Sequence, residues 1–132
     1  MSLDSFVYEL CTVGKNFASV ATVMPDGSPQ VSLVWVDSDG ENIVINTAEG
    51  RLKTSNLRND VRVAVAIANS ENHYEQAMVR GRVIEESHEG ADEHINQLAK
   101  KYLGLDEYPH RQPGEVRVKI KIKPEKVFKI EG

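Results

Sequence analysis

Arg51 and Lys53 open the segment Glu49-Gly50-Arg51-Leu52-Lys53-Thr54-Ser55-Asn56-Leu57-Arg58, which reads as a short helix entered through a glycine turn from a strand ending in Asn46-Thr47. Residues of these types in this order suit anion binding. The first backbone N–H groups of a helix lack intrahelical partners, and the helix start carries partial positive charge. Two cations in that first turn are unfavourable for the helix alone, by about 0.3–1 kcal/mol each. A bound phosphate would remove the conflict. A solvated basic helix face is the competing reading. Ser32, Asn46 and Thr47 place hydroxyl and amide groups beside this cradle, where they serve either the strand backbone and the helix cap or a ligand's phosphate or ring. Trp35 is either a core or subunit-interface residue or part of the wall that packs a planar ligand.

Other chemistry is sparse. No P-loop, dinucleotide-binding glycine pattern or nucleophile elbow is present. The four histidines, His73, His88, His94 and His110, lie in polar or loop segments without the i, i+4 spacing of helical zinc ligands, so they read as surface residues and no metal site is expected. Cys11, the single cysteine, falls in a helix-like segment and reads as a small buried residue, not a nucleophile. No side chain is therefore assigned a catalytic role.

The elements that must position the cradle fit one domain over residues 1–132. The net charge of −4 and pI near 5.6 oppose broad nucleic-acid binding. Basic residues cluster only at Arg51 to Arg62 and Arg117 to Lys129, and the second group reads as the solvated face of an alternating strand. With 40% hydrophobic and 27% charged residues, no apolar run approaches the ~20 residues of a membrane span. Met1-Ser2-Leu3-Asp4-Ser5-Phe6 lacks the basic start and apolar middle of a signal peptide, which predicts a cytoplasmic protein.

Leu3, Phe6, Val7 and Leu10 recur at helical spacing and predict a first amphipathic helix stopping near Gly14, a lid on something apolar. Phe17 to Met24, the turn Pro25-Asp26-Gly27-Ser28 and Gln30 to Val36 form a predicted hairpin. Its second strand is apolar on both faces, so cover on both sides is expected. Asp37-Ser38-Asp39-Gly40 reads as a turn, followed by a strand from Asn42 to Thr47 and the cradle helix at Arg51 to Arg58. Val61 to Ile67 and Met78 to Glu85 read as strands separated by a polar loop from Asn69 to Glu75. Gly81 suggests a bulge or close backbone approach. Glu89 to Gly104 is predicted as a helix with Ile95, Leu98, Ala99 and Tyr102 on one face. After an irregular loop from Leu105 to Pro113, Val116, Val118, Ile120 and Ile122 alternate with basic residues in a strand that Pro124 interrupts and Val127 to Ile130 resumes. Short turns and few helices predict a mainly β chain, a six- or seven-stranded antiparallel split β-barrel of Greek-key type with about three short helices.

The run from Val31 to Val36, the Asp-Gly turn, the strand ending in Asn46-Thr47, the stretch Glu49 to Asp60 and Val61-Arg62-Val63-Ala64-Val65 together resemble the pyridoxamine 5′-phosphate oxidase-like flavin-binding split barrels. Val79-Arg80-Gly81-Arg82-Val83 and the stretch Arg117 to Val127 are similar to the coenzyme F420-dependent oxidoreductase branch. The resemblance spans nearly the whole chain. It implies a homodimer with cofactor sites at the subunit interface, an F420-dependent oxidoreductase that transfers a hydride to or from a small organic substrate. FMN is the alternative cofactor. It further implies that Thr47, Arg51 and Lys53 hold the cofactor phosphate, that Asn46 and Asn56 support the site, and that the backbone of Ser32, Leu33, Val34 and Trp35 lies along the ring system. The acidic tail of F420 would favour an open basic groove beside Arg51 and Arg58.

Three positions depart from the family. Val31 stands where the pyridoxamine phosphate oxidases have a phosphate-binding arginine, and Val61 stands where the family commonly has proline. The arginine- and histidine-bearing segment that receives the pyridoxal substrate has no counterpart before Gly132, which argues against vitamin B6 oxidation. Two non-catalytic alternatives are a protein that stores or shields flavin or F420 and a haem-binding barrel.

Overall fold

The chain folds around one curled, seven-stranded antiparallel sheet in the order β2-β1-β5-β6-β7-β4-β3, and the computed structural model describes residues 2–132. The strands are β1 (Phe17–Val23), β2 (Pro29–Trp35), β3 (Asp37–Ser38), β4 (Ile43–Ala48), β5 (Arg62–Asn69), β6 (Asn72–Ser87) and β7 (Arg117–Glu131). Among the described residues there are three helices, α1 (Ser5–Thr12), α2 (Leu52–Asn59) and α3 (Ala91–Leu103). The expected split barrel is observed. No helix among the described residues is long and apolar enough to cross a membrane.

The core lies on the concave side. Val20, Ile43, Ile45, Val65, Ile67, Val79, Ile120 and Ile122 point into it, and α1 covers it with Val7, Leu10 and Cys11. Asp4 caps α1 by accepting from the N–H groups of Phe6 and Val7 at 2.9 and 3.2 Å. Burial pushes the Cys11 thiol up to about 12, so it stays protonated and packs as an apolar group. Gly104 ends α3 in the left-handed conformation, and its N–H donates to Lys100 O.

Gly81 marks a close approach, as its position within a strand suggested. It faces Pro124, and a Cβ at this position would sit 2.1 Å from Lys123 O. Contrary to expectation, Pro124 does not interrupt β7. Lys126 faces Arg80 and Pro124 faces Gly81, which leaves Glu125 as an extra residue, so the missing proline N–H falls in a bulge. The expected polar loop from Asn69 to Glu75 is also largely strand. Only Ser70-Glu71 turns, and from Glu75 the backbone of β6 pairs with the end of β7 while its polar side chains remain in water. Asp37-Ser38, expected as turn, forms the short strand β3 against Ile43 and Val44.

The expectation for β2 is corrected as well. Val31 and Leu33 are each 65% exposed, because β2 is an edge strand and no element among the described residues lies over this face. Only the Trp35 end is covered, by α3 and Tyr108.

Candidate functional site

β4 runs fully buried to Ala48, and Gly50, at φ +86°, turns the chain into α2. Arg51 is the N-cap of α2 and supplies no side-chain cap bond, so the first N–H groups of the helix keep no side-chain partner. Above this helix start lies a cavity of about 200 Å³. Six of the expected residues line it, namely Leu33, Val34, Trp35, Asn46, Arg51 and Lys53. Phe17, Ile95, Leu98, Tyr108, His110 and Arg117 complete the wall. Larger depressions of about 610 Å³ beside α1 and about 530 Å³ on the open sheet face contain none of Arg51, Lys53 and Arg117.

Lys53 is only 7% exposed. Its Nζ donates to Thr47 Oγ1 at 3.3 Å, and it forms no ion pair with a carboxylate among the described residues. Thr54 Oγ1 donates its one proton to Ala48 O at 2.9 Å, so Thr47 donates to Thr54 across 3.2 Å and keeps a lone pair for Lys53. Thr47 thus steadies Lys53 and does not itself line the cavity. Burial, followed by the charges of Arg51 and Arg117, depresses the Lys53 ammonium to about 8. Three cations converge here with one carboxylate. Glu115 lies 3.7 Å from Arg51 and 3.3 Å from Arg117, and its Oε2 and Arg117 Nη1 are both buried without a hydrogen bond among the described residues.

Arg117 and His94 were not anticipated. Arg117, expected on a solvated face, is only 3% exposed because α3 and the loop holding Tyr108 cover the start of β7. His94, expected at the surface, is buried on the inner face of α3 with Ala91, Ile95, Leu98, Ala99 and Tyr102. That helical spacing was the available signal. Arg117 carried none, since it sits among five other basic residues of the same strand, Lys119, Lys121, Lys123, Lys126 and Lys129.

Aromatic rings form the far wall. Trp35 stacks on Tyr102 with centroids 5.0 Å apart and planes 4° from parallel, and Tyr108 meets Trp35 edge-on at 5.9 Å. Tyr102 Oη donates to Asn16 O and accepts from the Val36 N–H at 3.1 Å. Burial pushes its hydroxyl up to about 12, so it remains a neutral strut.

Asn56 and Ser32, like Thr47, are not among the residues that line the cavity. Asn56 Nδ2 donates to Thr22 Oγ1 at 3.0 Å, which ties α2 to β1 away from the cavity. Ser32 precedes the cavity wall, and its buried Oγ has no partner among the described residues. Arg58 does not create a basic groove. Its guanidinium is held bidentately by Glu49 at 2.6 Å and also by Glu86 at 2.8 Å, while His88 Nε2 meets Glu49 at 2.6 Å.

Residues 9–131 match the family described as Pyridoxamine 5′-phosphate oxidase. Among solved structures, the chain is similar to an F420 reductase at 28% identity and a TM-score of 0.78, over 92% of this chain and 95% of that one. It shares the fold of a putative pyridoxamine 5′-phosphate oxidase from Listeria innocua, at 20% identity and a TM-score of 0.64 over 88% and 89% of the two chains. It also shares the fold of HutZ, a haem storage protein from Vibrio cholerae, at 18% identity and a TM-score of 0.64 over 100% and 98%. Comparison with curated proteins finds no match.

Proposed function

This chain belongs to the pyridoxamine 5′-phosphate oxidase family, and from that premise we propose that it is an F420-dependent oxidoreductase acting on a small organic substrate. The observation that carries the reading is Lys53, a buried cation beside Arg51 and Arg117 that lacks a carboxylate of its own and stands next to an aromatic wall. A phosphate at one end of a planar ring system supplies what both halves of this site lack. The similarity to an F420 reductase favours the deazaflavin over FMN, the alternative cofactor.

The residues fit such a group. Lys53 and Arg51 would hold the phosphate, with the open N–H groups of α2 beside them. The strand from Ser32 to Trp35 would lie along the ring. When bound, the deazaflavin or flavin supplies the hydride chemistry, and no protein nucleophile is required. The side chains of Trp35, Tyr108, Ile95 and Leu98 would exclude water from the ring, and the Trp35–Tyr102 stack fixes the position of that wall.

The site is read as shared between two copies of the chain. Its cavity of about 200 Å³ is smaller than the roughly 300–1,000 Å³ of common ligand sites. β2 carries Leu33 on the cavity wall and Val31 on the neighbouring open sheet face, where Ala64, Ala66, Met78 and Phe128 continue the apolar surface. A second copy laid on that face would also extend the cavity, which supports a homodimer.

Calorimetric titration of purified protein with F420 and with FMN tests the cofactor. Oxidation of reduced F420 against a chemically broad acceptor panel then tests the activity. Tight binding without turnover across that panel overturns the enzyme reading in favour of storage, and a Soret band in the purified protein overturns it in favour of haem.

A further inference from the structure

Behind the cavity, Arg117 is the end of a chain of side chains drawn from four elements. Its Nε donates to Asn46 Oδ1 at 2.9 Å, and Asn46 Nδ2 donates to Ala91 O at 2.8 Å and to His94 Nδ1 at 3.1 Å. His94 Nε2 stands 3.0 Å from Asp37 Oδ2. The bonding partners determine every orientation. Ala91 O can only accept, so the Asn46 amide nitrogen faces it, and the Arg117 guanidinium can only donate, so the amide oxygen faces Nε. His94 Nδ1 must therefore accept, which leaves the ring proton on Nε2 to be donated to Asp37. Burial opposes ionisation of Asp37, but this hydrogen bond and the Ser38 N–H hold its carboxyl below the usual range, so the far end of the chain carries a negative charge.

The consequence falls on Arg117. A guanidinium is planar, so fixing Nε–H fixes the plane in which the other N–H groups point. Nη1 is buried, bordered by Glu115 at 3.3 Å without a hydrogen bond, in a side chain that lines the cavity. Asn46, expected to support the site, has its amide nitrogen occupied twice and its oxygen once within the chain.

We infer that Asn46 and His94 are positioning residues that aim Arg117 into the cavity, and that Arg117 is a third anion-binding side chain beside Arg51 and Lys53. The identity of the anion as a cofactor phosphate rests on the functional reading above. The geometry that fixes the guanidinium does not.

Binding of FMN compared with riboflavin, which lacks the phosphate, isolates the anion contact. Arg117→Gln is expected to weaken FMN about 10- to 100-fold while leaving riboflavin within about twofold, the range for loss of one charge-assisted contact. His94→Leu is expected to weaken FMN by about fivefold or more with riboflavin unchanged. His94→Asn, whose Oδ1 replaces the Nδ1 acceptor, should restore FMN to within about twofold of the parent. A purely structural His94 would instead lower the melting temperature of both variants and weaken the two ligands equally, and that result overturns the inference. If the parent binds neither F420 nor FMN, the functional reading fails by itself. Inorganic pyrophosphate then serves as the probe, and equal affinity in the parent, Arg117→Gln and His94→Leu proteins overturns the positioning role.

Discussion

Lys53 Nζ donates to Thr47 Oγ1 at 3.3 Å, so a buried ammonium rests on a neutral hydroxyl. The ammonium remains charged only up to about pH 8 in the folded chain, against an ordinary value of 10.5. Between those values the unfolded chain binds more protons than the folded one, so stability of the ligand-free protein rises with pH across that window. Below about pH 8 the full cost of the buried charge is present. Denaturant midpoints measured from pH 7 to 10.5 should climb in the parent more steeply than in Lys53→Met, and F420 or FMN should flatten the parent's slope. Identical slopes in the two proteins would dismiss this account of Lys53.

Trp35 is the single tryptophan and lines the cavity, which makes its emission a direct report of occupancy. Titration with F420 or FMN is expected to quench it. Lys53→Ala should shift the quenching midpoint about 10- to 100-fold to higher concentration, the loss of a charge-assisted bond of about 1.5–3 kcal/mol. An unshifted midpoint removes Lys53 from the phosphate site.

Arg58 supplies the contrast. Its donors are taken by Glu49 and Glu86, so Arg58→Ala should leave F420 affinity within about twofold and lower stability by at most about 1 kcal/mol. A large loss of F420 affinity together with unchanged FMN affinity would show that the acidic tail reaches Arg58 after all.

Val31→Glu places a charge in the open apolar sheet face. Sedimentation should show a monomer where the parent sediments as a dimer, with F420 and FMN affinity lost in the same variant. A dimeric variant, or a monomer that binds as tightly as the parent, contradicts a site shared between subunits.

Gly81→Ala tests the β6–β7 bulge. The added Cβ would meet Lys123 O at 2.1 Å, and the backbone must shift to admit it, at a cost of about 1–3 kcal/mol. Chemical denaturation measures this directly, and a neutral substitution would mean that the ribbon separates freely at Pro124.

Much of the fold was legible because turns and periodicity carry local physics. Gly50, Gly104 and the alternation of Val118, Ile120 and Ile122 announced their elements correctly. The errors arose where long-range pairing overrode local signals. Pro124 could remain in β7 only because Gly81 of another strand made room, and Asn72 to Glu75 became strand through the ladder, not through composition. The cradle cations could be read from the helix start, but Arg117 could not. Its burial depends on α3 and Tyr108 meeting across the sheet. His94 was accessible in principle, since it keeps the spacing of the buried face of α3, and its polar type masked it.

The two edges of the sheet are β2 and β3, which adjoin in the sequence with only Val36 between them. Neighbours along the chain are therefore the farthest apart in the hydrogen-bonded order, and five strands from β1 to β4 must assemble between them before the curled sheet takes its final shape. The ladders β1–β5 and β4–β7 join residues far apart in the sequence, and topologies rich in such pairings fold on the millisecond-to-second scale. The cavity wall at Leu33 and Trp35 and the cradle after Ala48 come from opposite ends of the strand order and meet only when the sheet curls, so ligand binding should emerge only in the last kinetic phase of refolding.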